Sequence, residues 1–209
     1  MRSTATRERY REQREKARQD ILDAADSLLR ERPYHELSVE LVMTTAGLAR
    51  TAFYRHFDDL PDLVLRLLEG VLRDLYAIAE GWGAEAGPAF PAPAEAALPA
   101  IVEFFRREGR LLRGFQEAAM ADDAIEAGRR RLREPFIALT TQTLDRLVAE
   151  GHVDVPDTRA VARALNLMTE AYLLEEFGRE PAGDPHAALA ALETVWLRTL
   201  APRGADTAP

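Results

Sequence analysis

The 209-residue sequence predicts an all-α fold of about nine helices, with a three-helix helix-turn-helix domain before a larger helical domain. Three observations support this fold class. Apolar residues recur at helical spacing through most of the chain. Alternating apolar and polar runs bounded by turns, the pattern of strands, are nearly absent. The segment 37–57 divides into two short apolar-periodic stretches around Gly47, as a helix-turn-helix unit does.

The composition limits the class of protein. The chain has no Cys, which excludes disulfides, Cys-ligated zinc and thiol catalysis and fits a cytoplasmic protein. No apolar run approaches the roughly 20 residues of a membrane span. The N-terminus is polar and Arg-rich, unlike a secretory signal. We therefore expect a cytoplasmic protein that has no membrane partner and no cofactor or metal.

The net charge of −8 is unevenly distributed. Residues 1–57 carry 11 Arg and Lys and 9 Asp and Glu, a net charge of +2. Residues 58–209 carry 16 Arg and Lys and 26 Asp and Glu, a net charge of −10. The split predicts that only the N-terminal part meets an anionic partner.

The first helix is predicted over Asp20–Glu31, where an apolar stripe at helical spacing ends before Pro33. Residues 2–20 precede it with seven cations and four acids. This extension has two interpretations, a solvated helical extension that frays or a basic arm on a DNA backbone. Both can hold, and the first is favoured for residues 1–8.

The helix-turn-helix unit follows. Ser38 is the predicted N-cap of its first helix, and Gly47 supplies the left-handed residue that ends it. The second helix, the candidate recognition helix, is predicted over Arg50–Phe57. Phe53 and Phe57 are spaced i,i+4 and should face the core.

The remaining chain is predicted to be helical, with Asp59 capping the fourth helix. Gly109 separates two later helices, and Pro135 predicts a kink near Arg131. The predicted helices are 60–82, 94–108, 110–120, 122–150, 157–178 and 185–200, with a Gly- and Pro-rich linker at 83–93. The predicted domains are 1–60 for DNA binding, including a basic extension 1–18, then 61–202 for ligand binding and dimerisation, then a disordered tail 203–209.

Several residues of the helix-turn-helix unit have the chemistry to contact DNA. Arginine can bind a phosphate or pair bidentately with guanine, and hydroxyl groups donate to phosphates. Tyr54 and His56 could instead only pack against the first helix or face solvent. For His56, a DNA contact and these other roles are evenly balanced. Ser38 can be both a cap and a phosphate donor. The candidate contacts are Ser38, Arg50, Thr51, Tyr54, Arg55 and His56.

In the C-terminal half, one helix face combines polar and apolar residues at i, i+3, i+4, i+7 and i+11. It consists of Asn166, Thr169, Glu170, Leu173 and Phe177. Two neutral polar groups on an apolar face suit a pocket for a mostly apolar ligand. They also suit a structural role, in which Asn and Thr satisfy backbone carbonyls or lie in a dimer interface. From the residues alone the structural role is favoured. The basic run Arg129–Arg133 is interpreted as a solvated face paired with nearby acids.

Together these residues resemble a known family. The matching signature is Leu37-Ser38-Val39, Ala46-Gly47-Leu48, Arg50, Phe53-Tyr54 and Phe57. It is similar to that of the TetR family of one-component transcriptional regulators. The C-terminal half resembles the ethionamide repressor EthR in the run Ala164–Glu170, in Phe177-Gly178 and in Val195-Trp196.

The resemblance implies a homodimer that binds a palindromic double-stranded DNA operator through its third helix. The last two helices of each subunit would form the dimer interface, and a ligand would change the separation of the recognition helices. It also favours Asn166 as a ligand contact and adds residues at comparable positions, each of which alone would be ordinary core. The candidate ligand contacts are Phe104, Phe136, Leu139, Thr140, Asn166, Thr169, Glu170, Leu173 and Trp196.

The sequence departs from the family pattern at Ala49, Ala52, His56 and Leu60, where Ser, Thr, Tyr and Lys are common. These changes affect the expected DNA preference and one phosphate contact. The predicted function is a ligand-responsive DNA-binding regulator, a repressor released by a mainly apolar small molecule. A helical interaction protein with weakened DNA binding is one alternative. A helical enzyme is another, poorly supported one, because the sequence lacks the metal, phosphate-loop and nucleophile motifs that would indicate catalysis.

Overall fold

The computed structural model describes residues 4–85 and 92–200, with side chains over 7–80 and 97–199. Over these residues the fold is all-α, as predicted. Eight α-helices and one 3-10 turn, Tyr34–Glu36, are present there. The helices are α1 (Thr4–Glu31), α2 (Val39–Thr45), α3 (Arg50–Phe53), α4 (Leu60–Glu85), α5 (Ala92–Ala121), α6 (Asp123–Ala149), α7 (Thr158–Phe177) and α8 (Pro185–Leu200).

The predicted starts of α2 and α4 are confirmed. The Leu41 N–H donates to Ser38 Oγ at 3.1 Å, and the Asp62 N–H donates to Asp59 Oδ1 at 2.8 Å. Each cap satisfies a backbone donor that the first helical turn leaves unpaired. Asp157 caps α7 in the same way, through the Ala160 N–H at 2.9 Å.

The N-terminal helix α1 begins at Thr4, ahead of the apolar stripe predicted over Asp20–Glu31, so residues 4–20 form a helical extension as one interpretation expected. Its first half consists largely of Arg, Glu, Gln and Ala and has no Gly or Pro. These residue types favour a helix, so the helix continues where the apolar stripe stops. The charged extension is therefore part of α1.

The recognition helix is shorter than predicted, because α3 ends at Phe53 and not at Phe57. The chain continues in a tight turn, in which the Arg55 N–H donates to the Ala52 carbonyl and the His56 N–H to the Phe53 carbonyl. Such i→i+3 bonds are tighter than those of an α-helix and are common at helix ends. The turn places Phe57 in the core.

The predicted break at Gly109 is wrong, since α5 runs through it from Ala92 to Ala121. A Cβ on Gly109 would lie 2.7 Å from the carbonyl carbon of Phe177 and closer still to its oxygen. Glycine is needed here for a close helix approach, not for a turn. The merged helix explains why eight helices, rather than nine, lie in the part of the chain that the structure describes.

The later helix bounds agree closely with the predicted ones, and α8 agrees fully. Pro135 lies inside α6, and the kink at this position stays a prediction. Both ends of the predicted linker 83–93 are helical instead, because α4 ends at Glu85 and α5 begins at Ala92. Its central part, residues 86–91, and the predicted tail, 203–209, lie outside the described residues.

The chain forms two compact units, and α4, α5 and α6 each contribute residues to both. The N-terminal unit comprises Met1–Gly70 and Gly114–Arg129, and the C-terminal unit comprises Val71–Arg113 and Arg130–Pro209. The predicted domain boundary at residue 60 stays a prediction.

The N-terminal unit is built around the apolar stripe of α1. Ile21 and Ala25 are fully buried, as are Val42 of α2 and Leu63 of α4. Burial raises the pKa of Tyr34 to about 12, and the carboxylates of Asp122 and Asp59 add to the shift.

Candidate functional site

The turn of the helix-turn-helix unit is a complete Schellman motif at the end of α2. Gly47 has a φ of +68°, which a glycine adopts without strain. The Gly47 N–H donates to the Thr44 carbonyl at 3.1 Å, and the Leu48 N–H donates to the Met43 carbonyl at 3.0 Å. These two bonds satisfy carbonyls that the helix end would leave unpaired. The predicted role of Gly47 is confirmed.

The candidate recognition helix has one buried and one exposed face. Phe53 and Phe57 are 0% and 2% exposed, and their ring centroids are 5.6 Å apart. Tyr54 is 57% exposed, although its ring meets the edge of Phe53 at 5.3 Å. Four predicted DNA contacts are exposed on α3 and its following turn, namely Arg50, Thr51, Tyr54 and Arg55. Ser38 is also exposed, and His56 is half-buried.

The N-terminus of α3 lacks a side-chain cap. Ala49 has the extended backbone of an N-cap residue (φ −69°, ψ 140°) but no side chain that could accept a hydrogen bond. Because the helix is also only four residues long, its own hydrogen bonds cannot hold it. The buried phenylalanines supply that support.

The surroundings of His56 lower the pKa of its imidazole. Burial lowers its pKa first, and the guanidinium groups of Arg14, Arg18 and Arg55 lower it further, against a smaller opposing effect of Glu15. These effects favour the neutral imidazole in the protein without DNA.

Two arginines of α1, which sequence reasoning did not single out, lie beside the turn that follows the recognition helix. Arg14 Nη2 donates to the Arg55 carbonyl at 3.3 Å. The Arg18 guanidinium carbon lies 5.8 Å from the centroid of the Phe57 ring, a cation–π distance. Arg14 and Arg18 are spaced i,i+4, which places them on one helix face. This spacing was the signal in the sequence that could have identified them.

The C-terminal unit joins two predicted ligand contacts directly. Asn166 Nδ2, on α7, donates to Thr140 Oγ1, on α6, at 2.9 Å. It also donates to the Ala162 carbonyl at 2.9 Å. Both amide hydrogens are used, so the Asn166 oxygen is the atom left to accept a hydrogen bond from a ligand.

Two more predicted contacts have partners within the C-terminal unit. Trp196 Nε1 donates to Thr169 Oγ1 at 3.0 Å, which ties α8 to α7. Arg133 and Glu170 form a two-point ion pair at 2.8 and 3.0 Å. Since Arg133 neutralises Glu170, this carboxylate adds little net charge to the region. The pair, and that of Arg129 with Glu126 at 3.2 Å, show the predicted pairing of the basic run with acids. The side chains of Arg129 and Arg133 are only 19% and 17% exposed, so this part of the run is not a solvated face.

The apolar candidates differ in how much surface they keep. Phe104 and Leu173 are buried to 2% exposure or less, whereas Phe136 and Leu139 are half-buried. Phe104 meets Phe105 edge to face at 5.7 Å. Phe136 meets the edge of Tyr76 at 5.4 Å, a residue on α4 that sequence reasoning missed. The predicted contacts that keep partly exposed surface are Phe136, Leu139, Asn166 and Glu170.

Two family descriptions match the chain over most of its length. Residues 21–67 match "Bacterial regulatory proteins, tetR family". Residues 94–201 match "Transcriptional regulator EthR, C-terminal domain". The first contains the helix-turn-helix unit, and the second contains the residues around Asn166.

Solved structures of bacterial regulators share the fold. NalD of Pseudomonas aeruginosa, described as the secondary repressor of the MexAB-OprM multidrug efflux pump, is 22% identical, with a TM-score of 0.71 over 92% of this chain and 99% of its own. The regulatory protein TetR from Rhodobacter sphaeroides is 21% identical, with a TM-score of 0.68 over 88% and 98%. A regulator from Rhodococcus sp. Rha1 is 18% identical, with a TM-score of 0.69 over 92% and 99%.

No helix in the described ranges is both long and apolar enough to span a membrane. The domain matches, the Gly47 turn and the exposed recognition helix agree with one another. The chain therefore belongs to the TetR family of DNA-binding transcriptional regulators and has a C-terminal domain of the EthR type.

Proposed function

We propose that this protein is a homodimeric repressor that a mainly apolar small molecule releases from a palindromic operator. The observation that carries the proposal is the helix-turn-helix unit, whose buried phenylalanines leave Arg50, Thr51, Tyr54 and Arg55 exposed together. Ser38 and His56 complete the set of proposed contacts. A protein that reads genomic DNA in a bacterium acts in the cytoplasm. The proposal contains no catalytic step, in keeping with a family of regulators.

The dimer is supported by partly exposed small and apolar residues on the last two helices. On α7 they are Ala164, Leu167, Met168 and Ala171, at i, i+3, i+4 and i+7. On α8 they are Ala187, Ala190, Ala191, Thr194 and Val195. Small residues let helices approach closely, so these faces suit a four-helix interface between two copies.

The proposed DNA contacts predict two variants with weakened operator binding. Arg50→Ala and Tyr54→Ala should each reduce affinity about tenfold or more, because each removes a hydrogen-bonding group in both subunits. Fluorescence anisotropy with a duplex from the chain's own promoter region measures this. The melting temperature should change little, since both side chains are exposed.

Arg32→Ala is the charge-matched control for Arg50→Ala. Arg32 is exposed and lies outside the helix-turn-helix unit. Its loss should leave affinity within about threefold, an effect of long-range charge alone. Unchanged affinity in both the Arg50 and Tyr54 variants would remove α3 from the reading role.

The ligand is proposed to be neutral, mainly apolar and able to donate a hydrogen bond. Phe136 and Leu139 offer half-buried apolar surface, and the Asn166 oxygen offers an acceptor. Because Arg133 already neutralises Glu170, nothing here favours a cationic ligand. Thr140, Thr169 and Trp196 would hold Asn166 and α7 in place, and Phe104 and Leu173 would form the wall.

Asn166→Leu tests this site. A panel of mid-sized apolar compounds with one donor group is screened for a rise in melting temperature and for release of DNA. Linkage requires that DNA weaken the binding of an active compound by the same factor. Asn166→Leu should lower the affinity of that compound roughly five- to tenfold, since one hydrogen bond is lost.

Thr143→Val is the matched control for Asn166→Leu. Thr143 is a buried polar residue of α6 whose hydroxyl donates to the Leu139 carbonyl of its own helix at 3.1 Å. This change also removes a hydrogen-bonding side chain from the C-terminal unit, but not the proposed contact. Equal affinities for the compound in the Asn166 variant and the unmodified protein would show that the site is misplaced.

A second candidate, an interaction protein with weakened DNA binding, is favoured by the missing cap at Ala49. The loss of a Ser cap costs about 1 kcal/mol. Salt dependence separates the two candidates, because phosphate contacts produce a steep fall of affinity with salt. A flat salt dependence would support the second candidate.

A further inference from the structure

Four arginines occupy one face of the N-terminal half of α1. Arg7, Arg11, Arg14 and Arg18 are spaced i, i+4, i+7 and i+11, which places them in a single row along the helix. We call this row the arginine ridge. The first three are exposed and Arg18 is half-buried.

The ridge continues the face by which α1 packs in the N-terminal unit. Leu22, Ala25 and Leu29 lie 4, 7 and 11 residues after Arg18, and all three are buried. The same helix face is therefore apolar where it packs on the core and cationic where it extends beyond the core. Four of the six cations from residue 7 to residue 18 lie on this face.

Two contacts fix the position of the ridge. Arg18 lies over the Phe57 ring at 5.8 Å, and Arg14 Nη2 reaches the Arg55 carbonyl at 3.3 Å. The ridge therefore begins beside the turn that follows the recognition helix. At a rise of 1.5 Å per residue, Arg11 and Arg7 lie about 5 and 10 Å beyond Arg14, towards the N-terminus of α1.

The acidic residues of this half of α1 lie on a different face. Glu8, Glu12 and Glu15 each follow a ridge arginine by one residue, about 100° round the helix. Arg18 and Glu15 approach to 3.7 Å at the border of the two faces. The ridge itself has no acid, so its outer end presents two exposed positive charges to an anionic surface.

We propose that Arg7 and Arg11 bind backbone phosphates of the duplex that flanks each half-site. This proposal rests on the DNA-reading function above and extends the contact beyond α3. B-DNA carries about one negative charge per 1.7 Å of axis, so a 10 Å extension passes several phosphates. Such contacts add affinity without reading the sequence.

The test compares two double variants of the full-length protein that remove the same charge from α1. Arg7→Ala/Arg11→Ala removes the outer ridge, and Arg9→Ala/Lys16→Ala removes two exposed cations from outside the ridge. Alanine keeps the helix in both. Binding is measured by fluorescence anisotropy over a salt series, with a promoter duplex that has long flanks and with one trimmed close to the half-sites.

We expect the ridge variant to lose roughly 10- to 100-fold in affinity for the long duplex at about 0.15 M salt. The slope of log K against log salt should become shallower by about 3 to 4, for two phosphates in each of two subunits. The other double variant should stay within about threefold. The difference between the two variants should disappear on the trimmed duplex.

Equal losses in the two double variants would overturn the proposal, because net charge alone would then explain them. An unchanged slope in the ridge variant, or a loss that persists on the trimmed duplex, would also overturn it. In each of these cases the unmodified protein still binds DNA. If the unmodified protein binds no duplex at any salt concentration, DNA reading itself fails and the ridge with it.

Discussion

Gly109→Ala is expected to destabilise the protein by about 3 kcal/mol, although the same change normally stabilises a helix by roughly 0.5–1 kcal/mol. The new Cβ would lie 2.7 Å from the Phe177 carbonyl carbon and closer still to the oxygen. A backbone carbonyl cannot rotate away as a side chain can, so α5 and α7 must separate. Thermal unfolding should show a melting temperature lower by roughly 6–12 °C.

Gly70→Ala is the matched control for Gly109→Ala. Gly70 also lies inside a helix, α4, but a Cβ there meets nothing within 4 Å. Gly70→Ala should stabilise the protein by about 0.5–1 kcal/mol, because alanine restricts the unfolded chain and favours the helix. The two variants should therefore shift the melting temperature in opposite directions. A stabilising Gly109→Ala would contradict the close approach of α5 to α7.

Phe53→Ala is expected to cost about 3–5 kcal/mol and to abolish operator binding. Phe53 is fully buried, and it supports a recognition helix of only four residues that has no side-chain cap. Its loss leaves a cavity beneath α3 and removes the contact with Phe57, 5.6 Å away. Circular dichroism should record a lower melting temperature, and anisotropy should record no specific binding.

Tyr54→Ala supplies the contrast, because Tyr54 is adjacent to Phe53 but exposed. It should weaken DNA binding while leaving the melting temperature nearly unchanged. The Phe53 variant would thus lose stability and DNA binding together, whereas the Tyr54 variant would lose DNA binding alone. Specific binding that survives in Phe53→Ala would mean that α3 does not depend on the core beneath it.

The polar residues around Asn166 show how far sequence reasoning could go. The helical spacing placed Asn166, Thr169 and Glu170 on one face and left both a ligand role and a structural role open. The structure shows structural bonds for all three, to Thr140, Trp196 and Arg133. The Asn166 amide uses both of its hydrogens in these bonds, so its oxygen is the acceptor on which the proposed hydrogen-bond-donating ligand rests.

The basic extension shows what the local sequence could not predict. Its composition offered either a solvated extension or a DNA-binding arm, and local sequence could not choose between them. The contact of Arg14 with the Arg55 carbonyl joins residues 41 positions apart. Such a contact depends on how α1 packs in the N-terminal unit, which no local pattern specifies.

The sequence by itself determined the helical class, most helix starts and the helix-turn-helix turn. Ser38, Asp59 and Asp157 cap helices through backbone groups three residues away, and Gly47 turns the chain through its own φ. These are local interactions, so they can be read from neighbouring residues. The same local pattern of residues identified the family.

Only the tertiary structure decided the role of Gly109, the early end of α3 and the pairing of Asn166 with Thr140. A glycine that breaks a helix and one that admits a neighbouring helix have the same sequence signal. Phe177, which distinguishes them, is far along the chain. Asn166 and Thr140 are 26 residues apart, and Arg133 and Glu170 are 37 apart. Such contacts exist only after packing brings separate helices together, because they depend on the shape and volume of the core.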